Sequence, residues 1–132
     1  MKGIADTGFL VAFANANDKH HAWAVQIAAD VTAPLLTCEA VMAETAFHLK
    51  SSAVALAMLN EGLVSLAFDC RDQLTRLADR YADRKPDLAG LSLVRMSEIF
   101  PKHSVITIDR TDFRVYRRNK RETIPILCPP ER

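Results

Sequence analysis

No stretch of this 132-residue chain approaches the roughly 18 consecutive apolar residues that a membrane-spanning helix needs, so no membrane is expected as its setting. The N-terminus has no basic region followed by a long apolar one, which speaks against a secretory signal peptide. Cysteine is scarce. Cys38, Cys70 and Cys128 form an odd, widely spaced set without a Cys-x-x-Cys pair, so neither a zinc site nor a redox couple is suggested. Reduced thiols in a cytoplasmic protein are the plain reading. Charge of one sign is not in excess either: a formal net charge of +1 gives no global pull toward nucleic acid, and any basic surface must be local. The chain also lacks repeats, linkers and low-complexity segments. What remains is 49% hydrophobic and 25% charged, enough for a single domain over residues 1–132 with a real core.

Short apolar runs alternate with helical patterns. Residues 2–6 read as a strand, with Thr7 placed to cap a helix over about 8–15. A turn at 15–18 leads into a helix over about 19–30, with Trp23, Ile27 and Val31 at core-like spacing. Residues 34–36 form a minimal strand, and Thr37 is expected to cap a helix over about 38–50. Another helix starts at Ser51 and stops at Gly62. Residues 63–68 read as a strand, and a helix over about 70–83 shows Leu74, Leu77, Ala78 and Tyr81 on one face. Pro86 breaks the chain before a helix over about 87–100. Residues 105–108 are a strand, 110–118 a short helical or turn segment, and 124–126 a last edge strand. Strands alternating with helices predict a three-layer α/β/α sandwich around a mainly parallel central sheet.

Two of the strands end in an acid. Asp6 follows Gly3-Ile4-Ala5, and Asp109 follows Val105-Ile106-Thr107-Ile108. Ligands of open parallel sheets collect beyond the carboxyl ends of the strands. Glu44 is a third candidate; Ala40, Val41, Phe47 and His48 share its face at helical spacing. Each acid alone has a simpler role, as a helix cap or a solvated side chain. Together, carboxylates about 5 Å apart would repel by roughly 3 kcal/mol per pair at an effective dielectric near 20, which a cation or proton uptake would relieve. An all-oxygen site of this kind suits Mg2+ or Mn2+.

The residues around these acids resemble the PIN-domain ribonucleases, and most closely the VapC-type toxins of toxin–antitoxin pairs. Residues 5–12 (Ala-Asp-Thr-Gly-Phe-Leu-Val-Ala) are similar to the family's first acid motif, and 37–44 to the helix that ends in its second acid. Residues 87–94 are similar to the helix carrying a third, and 107–113, with Tyr116-Arg117 beyond, to the C-terminal acid motif. The resemblance implies metal-dependent endoribonuclease activity on RNA phosphodiesters, with Asp6, Glu44 and Asp109 as catalytic and metal-holding groups. It implies supporting roles for Thr7, Thr107 and Asp112, a cognate antitoxin and a homodimer. One position departs from the pattern: Gly90 stands where an Asp is expected. Glycine inside a helix costs about 1 kcal/mol relative to alanine. Either a natural divergence or a deliberate inactivation would explain it. Asp87, three residues earlier, caps the helix in the simpler reading and reaches the site in the other; Glu98 lies two turns further on.

Residues 110–121 hold Arg110, Arg114, Arg117, Arg118, Lys120 and Arg121. In a helix, Arg114, Arg117, Arg118 and Arg121 would form one stripe, suited to RNA phosphates. The four histidines form no ligand pattern. The alternative to a nuclease is a catalytically inactive module of the same fold that binds RNA or an antitoxin. A phosphoacceptor signalling domain is a poorer match, because Asp6 stands alone and no lysine follows the last strand.

Overall fold

The computed structural model of the protein describes residues 1–67 and 71–130. Five strands form the central sheet: β1 (Gly3–Ala5), β2 (Leu35–Thr37), β3 (Val64–Leu66), β4 (Ser104–Ile106) and, after a separate ladder, β7 (Ile126–Leu127). Their order is β3-β2-β1-β4-β7, and every pairing in this sheet is parallel. Among the described residues seven α-helices accompany the sheet: α1 (Thr7–Ala14), α2 (His21–Ala29), α3 (Glu39–Leu49), α4 (Ser52–Asn60), α5 (Arg71–Arg80), α6 (Leu88–Ile99) and α7 (Arg110–Val115). This is the expected three-layer α/β/α arrangement. Helices on both faces explain why the strands are short apolar runs rather than alternating ones.

The topology creates a crevice. The chain runs outward from β1 to β2 and β3, then crosses back to place β4 and β7 on the other side of β1. The strand order therefore reverses between β1 and β4, and a crevice opens beyond their carboxyl ends. Register makes the two ends meet: Ala5 pairs with Ile106, and the Asp6 amide donates to the Ile106 carbonyl at 3.1 Å. Asp6 and Thr107 thus emerge side by side from adjacent strands.

The core holds this in place. Ile4, Phe9, Leu10, Leu35, Leu93 and Ile106 are fully buried, and Phe9 meets Trp23 edge-on at 5.9 Å. On α5, Leu77 is buried, with Leu74, Ala78 and Tyr81 packed around it, as the helical spacing predicts.

Several local expectations change. Asp6, not Thr7, caps α1, its side chain accepting from the Thr7 amide. Thr37 does not cap α3; it is the last residue of β2, and its hydroxyl donates across the sheet to the Ala5 carbonyl at 3.3 Å. The last strand of the sheet is 126–127 rather than 124–126, because Pro125 contributes only a carbonyl, which accepts from Val105. The segment 110–118 is helical only to Val115. It continues into an antiparallel ladder of β5 (Arg117–Arg118) and β6 (Glu122–Thr123), turned by Asn119 and Lys120 in left-handed conformations. Cys38 is a buried free thiol and Cys128 a half-buried one; Phe68 and Cys70 lie outside the described residues.

Candidate active site

The crevice beyond β1 and β4 is a cavity of about 300 Å³, walled on several sides by acids. Asp6 enters from the end of β1, Glu44 from α3, Asp87 from the start of α6, and Asp109 and Asp112 from the start of α7. Asp18, in the turn after α1, adds a sixth carboxylate that sequence pattern did not single out. Sitting in a polar turn, it carried no signal beyond turn chemistry.

Asp6 is the most constrained of these groups. One carboxylate oxygen, Oδ1, accepts the Thr7 amide at 2.7 Å; the other accepts the Thr107 hydroxyl at 2.6 Å. Thr107 in turn accepts the Asp109 amide at 3.0 Å, and Asp109 accepts the Asp112 amide at 3.0 Å while capping α7. A chain of hydrogen bonds thereby links Asp6 to Asp112 through one buried hydroxyl. Burial pushes the Asp6 carboxyl up to about 6, against the opposing pull of its hydrogen bonds to Thr107 and Thr7; the charges of Glu44 and Asp87 add to the rise. Asp112 is raised as well, by burial and then by the Asp109 carboxyl beside it.

Thr7 lines the cavity too. Its hydroxyl oxygen is buried and has no hydrogen-bond partner among the described residues. Buried hydroxyls are seldom left unpaired, so this oxygen marks a place where a polar ligand or water belongs.

Gly90 borders the same cavity. Its amide donates to the Asp87 carboxylate at 2.5 Å, so Asp87 caps α6 and faces the cavity at once, joining the two roles that sequence spacing had set apart. A β-carbon at Gly90 would lie 2.8 Å from that carboxylate oxygen and 3.6 Å from the Tyr116 hydroxyl. Any side chain there must displace Asp87 slightly. Tyr116 closes this wall, stacked edge-on against Tyr81 at 4.9 Å and Phe113 at 5.8 Å, and burial lifts its phenol to about 12.

The arginine stripe does not form. Once the helix ends at Val115, Arg117 and Arg118 take strand positions and turn to structural work. Arg117 donates to the carbonyls of Arg114 and Tyr116. Arg118 pairs with Glu122 at 2.9 Å and donates to the carbonyls of Ser97 and Pro101. None of Arg114, Arg117, Arg118 or Arg121 lines the acidic cavity. Glu98 is likewise turned away, paired with Arg95 at 3.2 Å and accepting the Asn119 amide.

Whether a hard cation fits can be judged from the donors. Apart from the exposed His48 imidazole they are all oxygens, Asp6 is poorly solvated, and the Thr7 hydroxyl lacks a partner among the described residues. Among the described residues, however, no three acidic, histidine or cysteine side chains converge tightly enough to grip one ion directly. The donor set therefore fits an ion that keeps part of its water, as Mg2+ commonly does when held by one or two carboxylates.

The PIN domain family model matches residues 4–123. The fold is similar to that of the solved Mycobacterium tuberculosis VapC20, described as a Sarcin-Ricin loop cleaving toxin. The TM-score is 0.72 at 19% sequence identity, covering 85% of this chain and 92% of that one. No curated protein matches the chain.

Proposed function

Because this chain belongs to the PIN-domain family, we propose that it acts as a single metal-dependent endoribonuclease domain, the toxin of a toxin–antitoxin pair, hydrolysing RNA phosphodiesters. The observation that carries this reading is Asp6. A buried carboxylate with a raised pKa, held by two donors, faces a cavity walled by five further acids and an unpartnered hydroxyl. Structural need alone does not account for that concentration of negative charge at a strand switch point.

In this reading Asp6, Glu44 and Asp109, with Asp87 beside them, would hold Mg2+ or Mn2+ in part through the ion's own water. The metal would orient the phosphodiester, acidify the attacking water and stabilise the leaving oxygen. The rest of the work falls to the protein. Thr107 fixes the Asp6 carboxylate and the Asp109 backbone through one hydroxyl, keeping the two acids in step. Asp112 retains a proton more readily than an ordinary aspartate and is placed to lend it at the rim. Tyr116 bounds the cavity on the Gly90 side. The exposed apolar side chains of Phe47 on α3 and of Val54 and Leu56 on α4 offer contacts for the antitoxin or a second copy.

Gly90 favours a second reading, a module of the same fold that binds RNA or an antitoxin without cleaving. Calorimetric Mg2+ titration and cleavage of total RNA by the parent and by Gly90→Asp separate the two. The nuclease reading expects metal-dependent cleavage, with Gly90→Asp tightening metal binding by roughly 10- to 100-fold, the range seen for groups that support a metal site. If neither protein cleaves at any metal concentration, the binding module replaces the nuclease.

A further inference from the structure

We infer that a basic groove between α5, α6 and the β5–β6 turn carries the RNA strand away from the acidic cavity. The inference rests on the nuclease reading above and adds a second contact surface to it. The groove has a volume of about 340 Å³ and is lined by Gln73, Arg76, Arg80, Arg95, Glu98 and Lys120, among others. Four cations thus surround one acid in a chain whose overall charge is nearly balanced.

The single acid is already satisfied. Glu98 receives Arg95 at 3.2 Å and the Asn119 amide at 2.6 Å. Three of the four cations are not. Arg76, Arg80 and Lys120 are exposed and have neither an ion pair nor a hydrogen bond among the described residues, and the Nε of Arg95 is buried without a partner. Arg76 and Arg80 stand one turn apart on the same face of α5, whereas Asp79 between them does not line the groove. Lys120 occupies a left-handed backbone conformation, φ 71°, which suits glycine far better than lysine. Its placement turns a costly position into a cation at the groove wall, and strain of this kind gathers at functional sites.

The groove and the acidic cavity share α6. Gly90, on the first turn of α6, borders the cavity; Arg95, further along the same helix, borders the groove. Five residues advance about 8 Å along the helix axis, the rise of roughly two stacked nucleotides, and turn the lining from one side of α6 to another. At the end of α5, Tyr81 stacks on Tyr116, which forms the cavity wall. Guanidinium forks and an ammonium along such a path match the phosphates of a single strand. They also supply a cationic surface that Arg117 and Arg118, engaged with backbone carbonyls and Glu122, do not.

The test is fluorescence anisotropy of a short fluorescein-labelled single-stranded RNA, in EDTA so that cleavage is absent, titrated with salt. Arg76→Gln, Arg80→Gln and Lys120→Gly are compared singly and together with the parent, with Lys102→Gln, an exposed lysine outside the groove, as control. Each lost phosphate contact is expected to reduce the slope of log affinity against log salt by about 0.7, so the triple variant loses about 2. Lys120→Gly should melt no lower than the parent, since glycine relieves the left-handed backbone, so its loss of affinity is not a loss of fold. Parent binding with an unchanged slope in the triple variant overturns the groove alone. No RNA binding by the parent overturns both the groove and the nuclease reading. Equal weakening by Lys102→Gln overturns the groove in favour of diffuse charge, and equally tight, groove-dependent binding of polyglutamate overturns RNA in favour of an acidic protein segment.

Discussion

Asp6 and Thr107 form the smallest unit from which the site can be understood. The folded carboxyl keeps its proton up to about pH 6, while the unfolded one releases it near 3.8. Between those values the folded state binds more protons, so stability falls as pH rises through the window and levels off above it. The effect is on the order of 3 kcal/mol for a group this buried. Asp6→Asn removes the charge but keeps a good helix cap. It should raise the melting temperature by several degrees at pH 7.5 and by little at pH 4.5, as thermal melts at the two pH values will show. A drop at both would mean that the carboxylate is chiefly a structural acceptor. Thr107→Val tests the opposite half of the pair. The Thr107 hydroxyl is the hydrogen bond that most lowers the Asp6 pKa, so its loss should move the Asp6 titration further upward in carboxyl NMR. It should also destabilise the fold by about 1–3 kcal/mol, the cost of a buried acceptor left unpaired. Residue-level reading of the chain found both positions, because an acid or a threonine directly after an apolar run has few places to go in a parallel sheet.

At the scale of elements, what could be read depended on whether a local pattern or a distant partner decided the outcome. The strand ending at Ala5 and the helices α3 to α6 were legible because apolar spacing and breakers such as Gly62 and Pro86 bound them locally. The segment after Val115 was not. Its cations suit a helical face by spacing, but the chain turns at Asn119 and Lys120, and Arg118 is claimed by groups remote in sequence: the carbonyl of Ser97 in the last turn of α6, that of Pro101, and Glu122 across the ladder. A cation on the last carbonyls of a helix is favourable through both hydrogen bonding and the helix dipole. Arg118→Ala is therefore expected to behave as a stability variant, not a binding one, losing about 1–3 kcal/mol in urea unfolding. Arg121→Ala, exposed and outside both the cavity and the groove, should stay within about 0.5 kcal/mol of the parent. Comparable losses in the two variants would contradict the anchoring role of Arg118.

For the whole molecule, the strand order converts separate local features into one charge centre. Asp6 and Asp109 are far apart in sequence, and Glu44 and Asp87 come from helices on other connections, yet all line one cavity because β1 and β4 are neighbours at the point where the order reverses. Alternation of strands and helices made that convergence foreseeable. The depth of Asp6, the part played by Asp18 and the turning of Arg117 away from the site were not, since each depends on packing between distant segments. A centre of this kind opposes folding as its charges appear, so a divalent cation that neutralises it should stabilise the entire fold. Mg2+ at 100 times its dissociation constant would add about 2.7 kcal/mol. The gain must depend on pH in the sense opposite to that of the cation-free protein. Above pH 6 Asp6 is ionised and ready to bind, whereas below it the cation must displace a proton, and affinity falls by about tenfold per pH unit. Melting curves with and without Mg2+ should then separate by several degrees at pH 8 and converge near pH 5, with the separation lost in Asp6→Asn. A Mg2+ shift of equal size at both pH values, or one retained in Asp6→Asn, would place the cation away from Asp6 and remove the metal centre from this cavity.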